Sequence, residues 1–432
     1  MIIDRRKNPL FDFICSVIGI HTFGYLMLID VSKMEDLKRT FCVVMVNFIM
    51  FQTVMLFGKQ DYMSVFHSFY NTHTQNKDQS QKGYRQGNDS FSDQNLDSLD
   101  SPWKYFGYFD FYWAKDGNNN LQNREYGNLV SYSKLGEIQS NLAMVKLSYQ
   151  TTDIRSNMAL GIGTYMIKNL ANEPLGLRNV YEANFGIKLH RQKSIWMDVG
   201  VFPSHIGFES AIGYECLNLT RSLLAENSPY YEAGCRLVGG NNSISWGLYL
   251  LNGWQAIYKN PNASKGLNLG GQLNKKWRNM EFNYSNIVVG TMRDLNGIRY
   301  FHDLYWKWEL KNNWNLIAGV DFGIQRNSLQ EKHVWQTPIL IVSKQWNKHR
   351  IAFRAEQYKD LMGVVINNAY NNKAGVNIFG LSTNYDCHVK NNVWIRIEYR
   401  NLMNQGLYFP SEANTDPTKM VTMITIALQA KI

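Results

Sequence analysis

The chain has 432 residues, of which 19% are charged and 14% aromatic, with a formal charge of +10. A mean hydropathy of −0.33 excludes a bundle of membrane helices, and beyond the first sixty residues no apolar run reaches the roughly 18 residues that a spanning helix needs. The basic excess contains no block interleaved with aromatics, so nucleic acid is not an expected partner; the five cysteines form no C-x-x-C and lie near no histidine pair, which argues against a metal site, and no cofactor is implied.

Two apolar segments open the chain. "FDFICSVIGIHTFGYLMLID" (11–30) follows Arg5, Arg6 and Lys7, and "FCVVMVNFIMFQTVMLFG" (41–58) follows Lys38 and Arg39. The second fits a secretory signal over 34–58, with a basic start, an apolar middle and the small Gly58 before polar residues. Residues 1–33 then read as an N-terminal extension from an upstream start, the competing reading being a hairpin of two spanning helices. Residues 59–102, rich in Gln, Asn, Asp and Ser, read as a polar linker without periodicity.

From residue 103 onward the period is two. "VYEANFGIKLH" (180–190) sets Tyr181, Ala183, Phe185, Ile187 and Leu189 against Glu182, Asn184, Gly186, Lys188 and His190. "SIWMDVGVF" (194–202), "NWNLIAGVDFGIQ" (313–325), "RIAFRAEQY" (350–358) and "ITIALQAKI" (424–432) alternate in the same way, which is the signature of strands. "NNVWIRIEYRN" (391–401) states the problem most sharply, with Val393, Ile395, Ile397 and Tyr399 on one face and Trp394, Arg396, Glu398 and Arg400 on the other. Short polar connections recur at 151–155, 191–193, 239–242, 311–313, 347–348 and 388–392, separated by longer stretches of roughly ten to twenty-five residues. Short turns on one rim and long loops on the other describe a transmembrane β-barrel. The expected fold is therefore all-β: a closed antiparallel barrel over 103–432 with about 16 strands, short periplasmic turns and long extracellular loops. Its isoleucines face lipid, and its arginines face a lumen too wide for side chains to fill. The alternative is a soluble β-sandwich or propeller; no repeating blade motif supports it.

Four segments carry a family likeness. "VYEANFGIKL", "IWMDVGVFPSHIGFESAIG", "LTRSLLAENSPYYEAG" and "LLNGWQ", all within 180–255, resemble the OmpL-like β-barrel porins of Gram-negative outer membranes. The chain departs from that pattern in "YECLNLTRS" and in ending on Ile432 where many barrels end on an aromatic residue. The resemblance implies an outer-membrane porin, a passive channel for small hydrophilic solutes and ions. Its expected partners are outer-membrane lipid, lipopolysaccharide and the barrel-assembly machinery, with a homotrimer as one assembly it allows.

One connection stands apart. "PSHIGFESAIGYECLNLTRSLLAEN" (203–227) is too apolar for a solvated loop, since Ile206, Phe208, Ile212, Leu217, Leu219, Leu223 and Leu224 all need burial. It is expected to fold into the lumen as a constriction carrying Glu209, Arg221 and Glu226. The facing pore lining is Glu182, Lys188, Asp198, Arg354, Glu356, Arg396, Glu398 and Arg400. Acidic and basic groups across a channel would set up a transverse field that sorts solutes; the competing role for Arg221 and Glu209 is an ion pair that pins the loop to the wall. Cys216 and Cys235 are close enough in sequence to pair in an oxidising compartment. Catalytic motifs such as G-x-S-x-G are missing, and an outer-membrane hydrolase would have to assemble its pair from His205 and Ser210. A barrel with a blocked lumen serving as an adhesin or binding surface is the remaining alternative.

Overall fold

The computed structural model describes residues 101–118, 129–259, 268–292, 297–326, 331–368, 375–411 and 417–432. The expected extension (1–33), signal peptide (34–58) and nearly all of the linker lie outside the described residues.

Sixteen antiparallel strands close on themselves, each paired with its neighbours in sequence and the last with the first. They are β1 (Trp103–Asp116), β2 (Ile138–Gln150), β3 (Ile154–Ile162), β4 (Val180–Lys188), β5 (Ser194–Pro203), β6 (Tyr231–Gly240), β7 (Ile244–Leu251) and β8 (Asn268–Lys276). The second half comprises β9 (Met280–Met292), β10 (Gly297–Leu310), β11 (Trp314–Arg326), β12 (Lys332–Trp346), β13 (His349–Asp360), β14 (Val376–Lys390), β15 (Val393–Asn404) and β16 (Met420–Lys431). Closure runs from Tyr108 opposite Lys431 to Asp116 opposite Met423. It leaves no strand edge unpaired, as the absence of water in a bilayer requires.

All the short connections expected from sequence fall on the rim where β1 begins and β16 ends, joined by one more at 277–279. Three of them turn on asparagines held at positive φ: Asn312 and Asn313, Asn347, and Asn392. Asparagine tolerates this left-handed region better than other residues with a Cβ, and tight antiparallel hairpins need it. The opposite rim departs from expectation at two places, where 293–296 and 327–331 are as short as the turns.

The faces fall where the alternation put them. On β15, Arg396 is fully buried inside, while Ile397 keeps 37% of its surface outside. Ile426 and Leu428 project outward from β16 in the same way. Ile424 shares that outward parity and is buried, at a register position between Lys115 and Tyr399. Exposed Trp103, Tyr105, Trp277 and Trp314 lie near the turn-bearing rim, where amphipathic rings suit a membrane boundary. The inner face is less polar than expected. Inward positions of β12 carry Ile339 and Ile341, and those of β9 carry Ile287 and Val289, all buried. The reason lies in what packs against them.

Candidate functional site: the loop that crosses the lumen

Residues 204–230, between β5 and β6, leave the wall, cross the interior and dock on the far side of the ring, from β10 to β16 and β1. The apolar residues that made this segment implausible as a solvated loop supply the driving force. Phe208, Leu217 and Leu224 pack with Tyr305, Ile317, Ile339, Ile341 and Ala352 of the wall. Ile206, Leu219 and Leu223 join a second core with Trp196, Phe202 and Tyr249. A one-turn helix α1 (Leu223–Glu226), capped by the Ser222 hydroxyl accepting from the Ala225 N–H, ends the crossing.

A crossing segment with few regular hydrogen bonds must find partners for its peptide groups once water is excluded. The charged residues of the wall provide them. Arg396 donates to the carbonyls of Gly213 and Cys216, the latter at 3.0 Å, and Arg350 donates to Cys216 at 2.9 Å. Arg354 donates to the Thr220 carbonyl at 2.7 Å, and Arg400 to the Arg221 carbonyl at 3.0 Å. Carboxylates take the amides: Glu398 accepts from the Thr220 N–H at 2.5 Å and its hydroxyl at 2.9 Å, and Glu356 accepts from the Leu223 N–H at 2.6 Å. Asn384 accepts from the Leu219 N–H at 2.9 Å.

The same side chains neutralise one another. Arg354 lies 2.9 Å from Glu398 and 3.1 Å from Glu356, Arg400 lies 2.7 Å from Glu356, and Arg396 lies 2.6 Å from Asp386. Buried ions persist when paired and hydrogen-bonded; here each ion has an oppositely charged partner, while the Nε groups of Arg354 and Arg400 find no hydrogen-bond acceptor among the described residues. This lattice reads the backbone of 213–223, so the wall charges help to fix the loop's path.

The three expected loop residues have distinct surroundings. Arg221, fully buried, donates to Ser210, Leu219 and Ala211 carbonyls of its own loop, at 2.5, 2.6 and 3.4 Å, tying the segment into a knot. Glu209 accepts from the Ser222 N–H at 2.9 Å and from its hydroxyl, and lies 3.9 Å from Arg354. Glu226 accepts from the Val130 and Ser131 N–H groups, joining this loop to the connection between β1 and β2. Burial lifts its carboxyl to about 7, against the lowering pull of the Val130 N–H, Arg400, the Ser131 N–H and Arg221.

Gly213 fits where nothing larger would. A Cβ there would meet the Gln429 amide at 2.1 Å and the Tyr108 hydroxyl at 2.8 Å, and the Gly213 N–H donates to that hydroxyl at 2.9 Å.

Of the expected wall set, Arg354, Glu356, Arg396, Glu398 and Arg400 come together under the loop. Glu182, Lys188 and Asp198 stand apart, on β4 and β5. Glu182 pairs with Lys146 at 2.7 Å, and Asp198 takes Arg155 at 2.6 Å and Arg236 at 2.8 Å. Lys188 lies over the Trp196 ring, 5.8 Å from its centre. Sequence reading missed Arg350, Asn384 and Asp386, whose inward parity on β13 and β14 was available to find them.

Cys216 and Cys235 are both free thiols: Cys216 is buried in the loop, and Cys235 lies on the outward parity of β6. His205 and Ser210 engage different groups. His205 bonds Glu232 at 2.9 Å and the Asn286 carbonyl at 3.0 Å, whereas the Ser210 hydroxyl accepts from the Ile212 N–H at 3.1 Å. Both imidazole nitrogens are thus committed to fixing the start of the crossing. Among the described residues, no cluster of three or more His, Cys, Asp or Glu side chains could hold a metal ion.

A family model described as "Putative beta-barrel porin-2, OmpL-like" matches residues 102–430. Among solved structures, an anion-selective porin from Comamonas acidovorans superposes with a TM-score of 0.50 at 8% identity, over 77% of this chain and 100% of that one. The in-vitro folded trimer form of OmpT, an outer membrane protein of Vibrio cholerae, reaches 0.48 at 9% identity, over 76% and 99%. At such identities the likeness concerns the fold alone. No curated protein sequence matches the chain significantly.

Proposed function

The chain belongs to the OmpL-like β-barrel porin family, an outer-membrane β-barrel of a Gram-negative bacterium, and from that premise we propose that it is a passive diffusion channel for small hydrophilic solutes. The observation that carries the reading is a closed ring of sixteen strands whose lumen is crossed by an internal loop fixed to the opposite wall. A ring of this size encloses more space than wall side chains fill, and a fixed loop sets how much of it remains open. Glu209, Arg221 and Glu226 act in this reading as struts. Each is buried and spends its hydrogen bonds on the loop or its neighbour, which supports the pinning role over direct contact with passing solute. Arg354, Glu356, Arg396, Glu398 and Arg400 are the docking template. The barrel is not an enzyme, and its partners are outer-membrane lipid and lipopolysaccharide, the barrel-assembly machinery and, in a homotrimer, its own copies.

The loop's passage across the whole interior also favours a second reading, a barrel with a closed lumen that presents a binding or adhesive surface. Liposome swelling separates the two. Proteoliposomes of the refolded protein should swell in isotonic sugar or amino-acid solutions at rates that fall with solute size. Liposomes that stay impermeable to all such solutes would reject the channel and leave the closed barrel.

A further inference from the structure

We propose that the lumen admits small anionic solutes in preference to cations, through a basic lining on the arc from β2 to β8 near the turn-bearing rim. The inference rests on the channel reading and narrows its solute class. On inward positions of this arc stand Lys146, Arg155, Lys188, Arg236 and Lys276. What decides the sign of the lining is which charges meet water. The side chains of Lys146, Arg155 and Arg236 are 20%, 11% and 15% exposed, while their carboxylate partners Glu182 and Asp198 are 1% and 0% exposed; Lys276 is 33% exposed beside Glu281 at 18%. Ion pairing therefore does not cancel the field evenly. Glu182 and Asp198 are sunk into the wall and the cationic heads stand over them, toward the lumen.

The arrangement is built rather than incidental. Asp198 holds both guanidinium groups, Arg155 through two hydrogen bonds at 2.7 and 2.6 Å and Arg236 through one at 2.8 Å. Two cations share this carboxylate, which is fully buried while both guanidinium heads reach water. Arg155 also lies over the Trp196 ring at 4.5 Å, and Arg236 over the Phe202 ring at 4.5 Å, which fixes both heads in place. Gly186 leaves the room: a Cβ there would stand 2.0 Å from the Asp198 carboxylate and 3.1 Å from the Arg155 side chain. The accessible acids nearby are Asp153 in the turn between β2 and β3, Glu281, beside Lys276 at 3.8 Å, and Glu309 at the end of β10. They do not balance the five bases. The fold likeness to an anion-selective porin, at 8% identity, carries no such information.

The test is the reversal potential of the refolded full chain in planar bilayers under a KCl gradient. A lining potential of about half to one kT per unit charge, screened by salt, enriches chloride and depletes potassium alike and so gives chloride a preference of about threefold to sevenfold. That preference should grow as salt is diluted. The variant Lys188→Glu with Lys276→Glu, which leaves the loop contacts untouched, should bring the ratio to one or below. A second readout is independent of conduction: a pyrene trisulfonate dye should bind the detergent-folded protein, as followed by fluorescence anisotropy, and the double variant should lose that binding. Conductance with a chloride-to-potassium ratio of one or less would overturn this inference and leave the channel standing. Absence of current with dye binding retained would overturn the channel and leave the basic lining, and absence of both would overturn the two together.

Discussion

Replacing Arg354 with alanine is the sharpest test of the docking template. Its guanidinium bonds the Thr220 carbonyl at 2.7 Å and the Ser382 hydroxyl at 2.9 Å, and pairs with Glu398 at 2.9 Å and Glu356 at 3.1 Å. Glu356 would keep Arg400, at 2.7 Å. Glu398 would keep only neutral donors, the N–H and hydroxyl of Thr220, around a carboxylate sealed from water. Stranding one member of a buried ion pair costs about 3–5 kcal/mol. If most of that falls on the docked state, the ratio of docked to released loop drops between about a hundredfold and a few thousandfold. Single-channel conductance should rise, and residues 204–230 should become open to added protease while the barrel stays folded. Adding Glu398→Gln, which removes the stranded charge but keeps an acceptor for Thr220, should restore at least about 2 kcal/mol of the loss. If Arg354→Ala leaves both conductance and protease protection at the wild-type level, the wall charges do not hold the loop.

Two further outcomes follow from the same structure. Glu226 is faced by Arg400, Arg221, Tyr165 and Tyr230 and has its carboxyl raised from 4.5 to about 7 by burial. The folded state then holds a proton more tightly than the unfolded one. Its stabilising contribution, up to about 3 kcal/mol, is complete below pH 4.5 and fades as pH rises through 7. Thermal unfolding of the wild type should shift downward between pH 5 and 8, and that of Glu226→Gln should not, so equal slopes would remove Glu226 as the source. On the outer surface, Ile397→Lys should cost about 2–4 kcal/mol in lipid vesicles if that face meets hydrocarbon. A urea titration of the vesicle-folded barrel giving an unchanged midpoint would place Ile397 outside the apolar zone.

The strands, their number and the side each residue faces were legible in the sequence, because they depend on local rules. A period of two assigns faces, as β15 illustrates, and asparagine-bearing turns set the hairpins at 311–313 and 347–348. The apolar content of 203–227 likewise declared that this connection had to be buried, because Leu217, Leu223 and their neighbours could not remain in water. What sequence could not supply is where the loop goes. Its partners lie half-way round the ring and well over a hundred residues later, so the pairing of Thr220 with Arg354 and Glu398 exists only once the barrel has closed. Parity alone likewise gave Glu182 and Asp198 the same standing as Lys188, all inward and charged. Tertiary packing separated them, sinking the carboxylates and leaving the cations at the water, because exposure depends on what the neighbouring strands place above each group.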